Sequence, residues 1–437
     1  MTPNLPSVTN SFHRLGLAAV VLSCLLWGSR AGAEPTAAEL FALRGVGDDV
    51  WAAFDDGRSI TEDEAAPLCQ VLLAVRAFPI RDVRRWAEQV GSLATVSPPD
   101  LERGSFYLVD GTVRQCERIE VPTGAAAHGE LSHYYRCVIE FTADGPTTNA
   151  GTTDAGLTRS AVVYAVTVPG AWLRGDASRD DDLYEQATAR AVLLKTSDAP
   201  DAQARPVLAA HRIAWHPDTP LGRLGMDVGL LDTIEDNRPL VAGDRECFYQ
   251  MLAAVAGDDA TASAATTTPA VKLFNETETI RGERVFLRGW TRRVTPVEVD
   301  DPDIRDRLGI DRYYQLELFT ADSQHNPIVC CLLELPSGMP TGGGIQENVA
   351  LTGFLMKKWA YRGERSSAQT DVGDQGVIRL APLVISRTVD WHRATVKRNS
   401  LAGVVAAAIF AVVFAAIVGA VWRSNRRDGA ARRDLRR

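Results

Sequence analysis

Apolar and polar residues alternate along two stretches of the chain, and each stretch predicts five β-strands. The alternation is clearest in Tyr314, Leu316 and Leu318, and again in Val349 and Leu351. Because successive side chains of a strand point to opposite faces, a period of two indicates strands with a buried face. The predicted strands cover 105–121, 131–141, 161–168, 186–195 and 206–215 in the first stretch, and 284–299, 312–320, 327–335, 348–361 and 377–391 in the second.

Apolar residues at helical spacing precede each set of strands. The positions that share one helical face are Leu68, Val71, Leu72 and Val75 in the first module and Phe248, Met251, Leu252 and Val255 in the second. The first of these helices follows Thr61 and Glu64, which form a capping-box pattern. A further helix over 80–90 is predicted in the first module alone, and 257–269 has the composition of a flexible linker.

Matching segments indicate that the two stretches are copies of one unit, offset by about 180 residues. The matching pairs are 108–114 with 286–292, 133–136 with 312–315, 141–144 with 319–322, and 206–216 with 382–392. Both copies keep a glycine inside the first strand, Gly111 and Gly289, where we expect a bulge or a sharp bend. We call 34–217 copy A and 218–395 copy B.

These patterns predict an α+β, mainly β fold of two tandem units, each a short helical module followed by a five-stranded small barrel, with one C-terminal transmembrane helix. The strand pattern, with its long bent first strand, resembles an oligonucleotide/oligosaccharide-binding (OB) barrel. An SH3-like barrel and an open sandwich fit the same pattern. The predicted boundaries are 1–33 for a signal peptide, 34–104 and 105–217 for the module and barrel of copy A, 218–272 and 273–395 for the module with linker and the barrel of copy B, 400–422 for the transmembrane helix, and 423–437 for a basic tail.

Both ends of the chain predict a membrane protein. An apolar run follows Arg14, and the small residues 31–33 form a cleavage site, so the mature chain would begin at Glu34; an uncleaved anchor is the alternative. Residues 401–422 carry no charge and extend about 33 Å as a helix, enough to cross a bilayer. The tail has seven Arg and two Asp, which places it in the cytoplasm and the remainder of the mature chain outside.

Small residues form a stripe on the predicted transmembrane helix: Gly403, Ala407, Ala411, Ala415 and Gly419. Small side chains at i+4 spacing let two helices approach closely, so the stripe indicates a homodimer through this helix. The alanine-rich composition of the segment is the alternative explanation.

The charge of the chain bears on its partners. The formal net charge is −8, and the predicted exported part is more acidic still because both ends are basic. An acidic surface repels phosphate backbones, so we expect no nucleic-acid partner. Besides the membrane itself, the expected partner is a protein or a glycan outside the membrane.

Cysteine spacing matches no metal site, and one pair of cysteines suggests a disulfide. Cys116 ends the first predicted strand of copy A and Cys137 lies in the second, so the two could face each other; buried free thiols are the alternative. Copy B has Val294 at the first position and either Leu316 or Gln315 at the second, depending on the place of a one-residue gap.

Adjacent tyrosines in the second strand of each copy are the candidates for ligand or partner binding. One tyrosine of each pair is expected to face outward, beside an arginine of the neighbouring strand. An exposed ring beside a guanidinium suits a sugar, a base or a partner loop, whereas a rim tyrosine stacked on the arginine is the alternative. The candidate residues are Tyr134, Tyr135 and Arg114 in copy A, and Tyr313, Tyr314 and Arg292 in copy B.

The sequence contains no nucleophile elbow, phosphate loop, dinucleotide fingerprint or His-Glu-x-x-His motif. What the two copies share is architecture rather than reactive groups. We therefore expect a non-enzymatic, single-pass membrane protein with a duplicated extracytoplasmic binding or scaffolding ectodomain and no cofactor or metal. An envelope enzyme with a site in the cleft between the units, and an oligosaccharide-binding barrel protein, are the alternatives.

Overall fold

The computed structural model describes residues 34–121, 131–143, 157–173, 183–198, 204–259, 266–362, 378–393 and 408–418. The chain divides into two units, Met1–His392, which contains copy A and copy B up to residue 392, and Arg393–Arg437. In the second unit, residues 408–418 are helical and exposed. Within the ranges given above, no helix has the length and apolar character needed to cross a membrane.

The predicted signal peptide and half of the predicted transmembrane helix lie outside the described residues. Of the small-residue stripe, Gly403, Ala407 and Gly419 lie outside them, whereas Ala411 and Ala415 belong to the helical stretch 408–418. The signal peptide, the membrane span and the homodimer therefore stay predictions.

Copy A is a mixed α/β unit that contains a closed five-stranded barrel. Its helices are α1 (Ala37–Leu43), α2 (Asp48–Ala52), α3 (Ala65–Ala77) and α4 (Ile80–Val90), and its strands are β1 (Phe106–Glu120), β2 (His133–Ala143), β3 (Leu157–Thr167), β4 (Glu185–Asp198) and β5 (Ala204–Trp215). The strands pair in the order β1-β2-β3-β5-β4, and β4 returns to β1 to close the barrel. β3 and β5 run parallel, and the other four ladders are antiparallel. This topology is consistent with an OB-like fold.

Copy B repeats the strand connections of copy A in a second β-sheet unit. Its helices are α5 (Pro220–Arg223), α6 (Arg245–Ala254), α7 (Ala270–Asn275) and α8 (Pro302–Leu308), and its strands are β6 (Arg284–Glu298), β7 (Arg312–Phe319), β8 (Ile328–Leu332), β9 (Gly342–Arg362), β10 (Ile378–Ser386) and β11 (Asp390–His392). The sheet order is β10-β8-β7-β6-β9-β11, with an additional pairing between β10 and β9. β8 and β10 run parallel, as β3 and β5 do.

Two elements of copy B differ from the sequence prediction. The predicted last strand, 377–391, is interrupted after Ser386, and its end forms β11 beside β9. Helix α8 is inserted between the first and second strands, with Asp301 as its N-cap and Gly309 in the left-handed conformation at its end (φ 67°). The Asp–Pro start and the glycine stop are ordinary signals of a short helix.

Each copy has two cores, because its strands bury side chains both inside the barrel and against the helices. In copy A, Tyr135, Cys137 and Ile139 of β2 belong to the barrel interior. Tyr134 belongs instead to the cluster that includes Leu72 of α3. Copy B has the same division between a helical cluster and a barrel interior. Alternation in these strands therefore does not mark a solvent-exposed face.

Buried ion pairs join the helical module to the barrel at matching positions in both copies. In copy A, Nζ of Lys195 in β4 lies 2.6 Å from Oε2 of Glu64, which directly precedes α3. In copy B, Nζ of Lys357 in β9 lies 2.7 Å from Oδ2 of Asp244, which directly precedes α6.

Each ammonium also donates to one backbone carbonyl: Lys195 to that of Ser59, and Lys357 to that of Pro239. The offset of 180 residues between the two carboxylates, and between the two carbonyls, shows that the pair belongs to the duplicated frame.

Helix α4 of copy A contacts copy B. Nη1 of Arg84 donates to the carbonyl oxygen of Arg307 in α8 at 2.8 Å. The side chain of Arg307 is itself buried, with Nη2 at 2.7 Å from Oε2 of Glu246 in α6. This contact connects the helical module of copy A to the helix inserted in the barrel of copy B, and Arg307 links that helix to α6.

Candidate binding surfaces

The structure buries most of the tyrosines that the sequence selects. Tyr134 is 4% exposed, Tyr135 8% and Tyr313 2%, whereas Tyr314 is half-buried. Tyr134 packs edge-on against Tyr164, and burial raises the pKa of its phenol to about 12. These rings fill the cores on either side of the strands, so they do not present an outward face to a ligand.

The structure also separates these tyrosines from the two arginines. Tyr135 lies opposite Arg118, four residues beyond Arg114 along β1. In copy B, Tyr314 lies opposite Pro296, four residues beyond Arg292 along β6. A strand rises about 3.3 Å per residue, so roughly 13 Å along the strands separates Tyr135 from Arg114 and Tyr314 from Arg292. The predicted tyrosine–arginine pairs are therefore not formed.

Arg114 stacks instead on Tyr184, which directly precedes β4. The guanidinium carbon lies 3.7 Å from the centroid of the Tyr184 ring, and Nη2 donates to its phenol oxygen at 2.8 Å. The ring is 69% exposed. The carboxylate of Glu140 in β2 approaches Nε of Arg114 to 3.5 Å. We call Arg114, Tyr184 and Glu140 surface A.

The residues on either side of Tyr184 hold it in place. The backbone N–H of Leu183 donates to the carbonyl of Arg114 at 2.8 Å. The carboxylate of Glu185 accepts a hydrogen bond from Nε1 of Trp215 at 2.7 Å. Because both neighbours of Tyr184 are anchored, its exposed ring is held in a defined position.

Arg292 of β6 lies over a different aromatic ring, that of Phe319 in β7. Its guanidinium carbon is 5.0 Å from the ring centroid. Trp290 stacks on the same ring, with centroids 6.3 Å apart and planes inclined by 20°. Arg292 is exposed, Trp290 is half-buried, and Phe319 is 8% exposed. We call Arg292, Trp290 and Phe319 surface B.

Both arginines are the extra residue of a β-bulge. The ladder between β1 and β2 shifts register between Val113 and Gln115, around Arg114. The ladder between β6 and β7 shifts between Thr291 and Arg293, around Arg292. A bulge redirects the side chain of its extra residue. Bulges are frequent at sheet edges, at the rims of barrels and next to active sites. The duplication thus keeps the bulge and the arginine within it, whereas the aromatic ring under the guanidinium comes from a different segment in each copy.

Copy A also contains a cavity of about 510 Å³ between its helices and the start of its barrel. Phe41, Trp51 and Trp86 contribute aromatic walls. Arg85 at its edge is bound by the carboxylate of Glu34 and donates to the carbonyl of Pro35 at 2.9 Å. The guanidinium of Arg85 is already bound by Glu34 and Pro35 of the same chain, so we assign the cavity no ligand.

Within the described ranges, no three His, Cys, Asp or Glu side chains are placed to hold a metal ion. Cys116 and Cys137 are direct partners in the ladder between β1 and β2. In copy B the partners at this point are Val294 and Leu316, so Leu316 rather than Gln315 corresponds to Cys137.

No protein-family model matches this sequence, and no curated protein matches it. Among solved structures, the chain is similar to the single-stranded DNA-binding protein of Thermus aquaticus. A deletion mutant of that protein is 10% identical over 67% of this chain and 95% of its own, with a TM-score of 0.17. The wild type is 10% identical over 66% of this chain and 91% of its own, with a TM-score of 0.16.

These matches contradict the expectation that the chain has no nucleic-acid partner, which we withdraw. The physical reason is that net charge sums the whole surface, whereas single-stranded nucleic acid needs only a local groove with cations and stacking rings. At TM-scores this low, the matches themselves do not argue for a nucleic-acid ligand.

Proposed function

We propose that this is a single-pass membrane protein whose duplicated extracytoplasmic part binds partner proteins and catalyses no reaction. The observation that carries the proposal is the matched placement of surfaces A and B at the same bulge of two equivalent strands. Two similar contact points on one chain raise the effective concentration of the second contact once the first has formed.

The chemistry of the two surfaces suits a protein partner. Arginine and aromatic side chains are enriched among the residues that dominate binding energy at protein interfaces. On surface A the guanidinium of Arg114 is already stacked and hydrogen-bonded to Tyr184, so binding costs little further side-chain entropy. The contact of Arg84 with copy B supports a fixed distance between the two surfaces.

Site-specific crosslinking tests the proposal in cells that make the full chain. A photoreactive phenylalanine is placed at Tyr184 or at Trp290, and in a control at Val271 of α7, which is 62% exposed and lies on neither surface. We expect a discrete protein adduct from positions 184 and 290 and none from 271.

The absence of adducts at positions 184 and 290 would count against the proposal. If the purified full chain then binds an oligosaccharide or single-stranded DNA saturably, that ligand class replaces the protein partner.

A further inference from the structure

We infer that Cys116 and Cys137 form a disulfide bond that cross-links β1 and β2 of copy A and has no counterpart in copy B. The two residues are direct partners in an antiparallel ladder. Opposite residues of such a ladder have Cα atoms about 4.5–5.5 Å apart, within the span of roughly 4.4–6.8 Å that disulfides use. The two Sγ atoms already lie 3.2 Å apart, so a movement of about 1 Å brings them to bonding distance.

The surroundings of the pair favour this bond over other pairings. Cys116 is half-buried, and Cys137, its partner across the ladder, is fully buried. The remaining cysteines that the structure describes are all buried: Cys69, Cys247, Cys330 and Cys331. Among the cysteines of the described ranges, Cys116 is therefore the thiol that an oxidant reaches first.

The oxidation is a thiol–disulfide exchange with a small-molecule or protein disulfide. The thiolate of Cys116 attacks one sulfur of the exchanging disulfide, forms a mixed disulfide and releases one thiol. The sulfur of Cys137 then attacks Cys116, closes the internal bond and releases the second thiol. The two protein thiols are oxidised, the exchanging disulfide is reduced to two thiols, and the protons pass to those thiols. An extracytoplasmic compartment supplies such oxidants.

Copy B provides the matched control for this site. Its ladder places Val294 opposite Leu316 at the equivalent point, and both side chains are fully buried. The double variant C116V/C137L therefore gives copy A the apolar pair that the same frame accepts in copy B. This variant separates loss of the bond from loss of packing.

The test is peptide mapping of the full chain in detergent after equilibration with oxidised and reduced glutathione. We expect one internal disulfide, joining Cys116 to Cys137, with the other described cysteines alkylated as thiols. Reductant should then lower the thermal midpoint of the wild type by on the order of 5–10 °C and leave that of C116V/C137L unchanged.

Alkylation of both Cys116 and Cys137 in the folded, oxidised chain would overturn the inference. A bond from either residue to another cysteine would overturn it equally. The readout is the bond itself, so the result does not depend on whether surfaces A and B bind a partner.

Discussion

Replacing Lys195 with methionine is expected to lower the free energy of unfolding by about 3–5 kcal/mol. Both carboxylate oxygens of Glu64 lie within 2.7 Å of the Lys195 ammonium, and the Glu64 side chain is 3% exposed. The substitution leaves this carboxylate buried without its cation. A buried charge that has lost its partner is among the most destabilising single defects in a protein. Urea unfolding followed by tryptophan fluorescence measures the loss.

The size of this loss should depend on pH. Burial alone raises the pKa of Glu64, but the hydrogen bond from Lys195 and the backbone N–H groups of Thr61 and Asp55 hold it below its ordinary value of 4.5. A carboxyl with a lowered folded-state pKa stabilises the protein above that ordinary value and loses the contribution as pH falls below it. In Lys195→Met, protonation removes the unpaired charge. The difference in free energy of unfolding between wild type and variant should therefore narrow as the pH falls into the acid range.

Three variants serve as controls for this prediction. Lys357→Met removes the equivalent cation of copy B and should cost a similar amount, since Asp244 is equally buried. Lys358→Met, one residue further on, removes only a hydrogen bond to the Phe274 carbonyl and should cost about 1 kcal/mol. Lys195→Met combined with Glu64→Gln leaves no buried charge and should recover part of the loss. A cost below about 1 kcal/mol for Lys195→Met would contradict the role we give this pair.

Adding a single methyl group at Gly111 or Gly289 should destabilise the protein by about 3 kcal/mol. A Cβ atom at Gly111 would lie 2.1 Å from the carbonyl oxygen of Glu140, and at Gly289 it would lie 2.0 Å from that of Phe319. The obstacle is backbone of the neighbouring strand, so a side-chain rotation cannot relieve it. The two strands must separate next to the bulge that carries Arg114 or Arg292.

Thermal unfolding of Gly111→Ala and Gly289→Ala checks this, with Gly243→Ala as the matched control. Nothing lies within 4 Å of a Cβ at Gly243, so that change should be neutral to within about 0.5 kcal/mol. If the three alanine variants unfold at the same temperature, the close approach of the strands is not a constraint on the fold.

The duplication made much of the frame predictable from the sequence. Matching segments located the strands of both copies, and the shared glycines marked a special point of the first strand. The glycines are not themselves the bulge; they admit a neighbouring carbonyl, and the bulge follows three residues later at Arg114 and Arg292. A comparison of the two copies could also have located the buried ion pairs. Lys195 and Lys357 each follow three apolar residues, and their partners Glu64 and Asp244 lie 180 residues apart.

Surfaces A and B could not be predicted from the sequence because they depend on tertiary packing. Alternation shows that Tyr134 and Tyr135 point to opposite sides of β2, but not that helices cover one side and the barrel interior the other. Tyr184 lies just ahead of the predicted strand that begins at residue 186, so no strand pattern assigned it a face. Its place beside Arg114 follows from the ladder between β1 and β4, which pairs residues distant in sequence.

We propose that both copies contact one partner together, and crosslinking from one copy with a substitution in the other distinguishes this from independent binding. The photoreactive group is placed at Tyr184 in copy A, and Arg292→Ala is introduced in copy B. Arg238→Ala is the control, because this arginine of copy B is 67% exposed and pairs only locally with Glu235. If the two contacts reinforce each other, Arg292→Ala should lower the adduct yield at position 184 by about tenfold or more, while Arg238→Ala leaves it unchanged. An adduct yield at position 184 that is unaffected by Arg292→Ala would contradict the account.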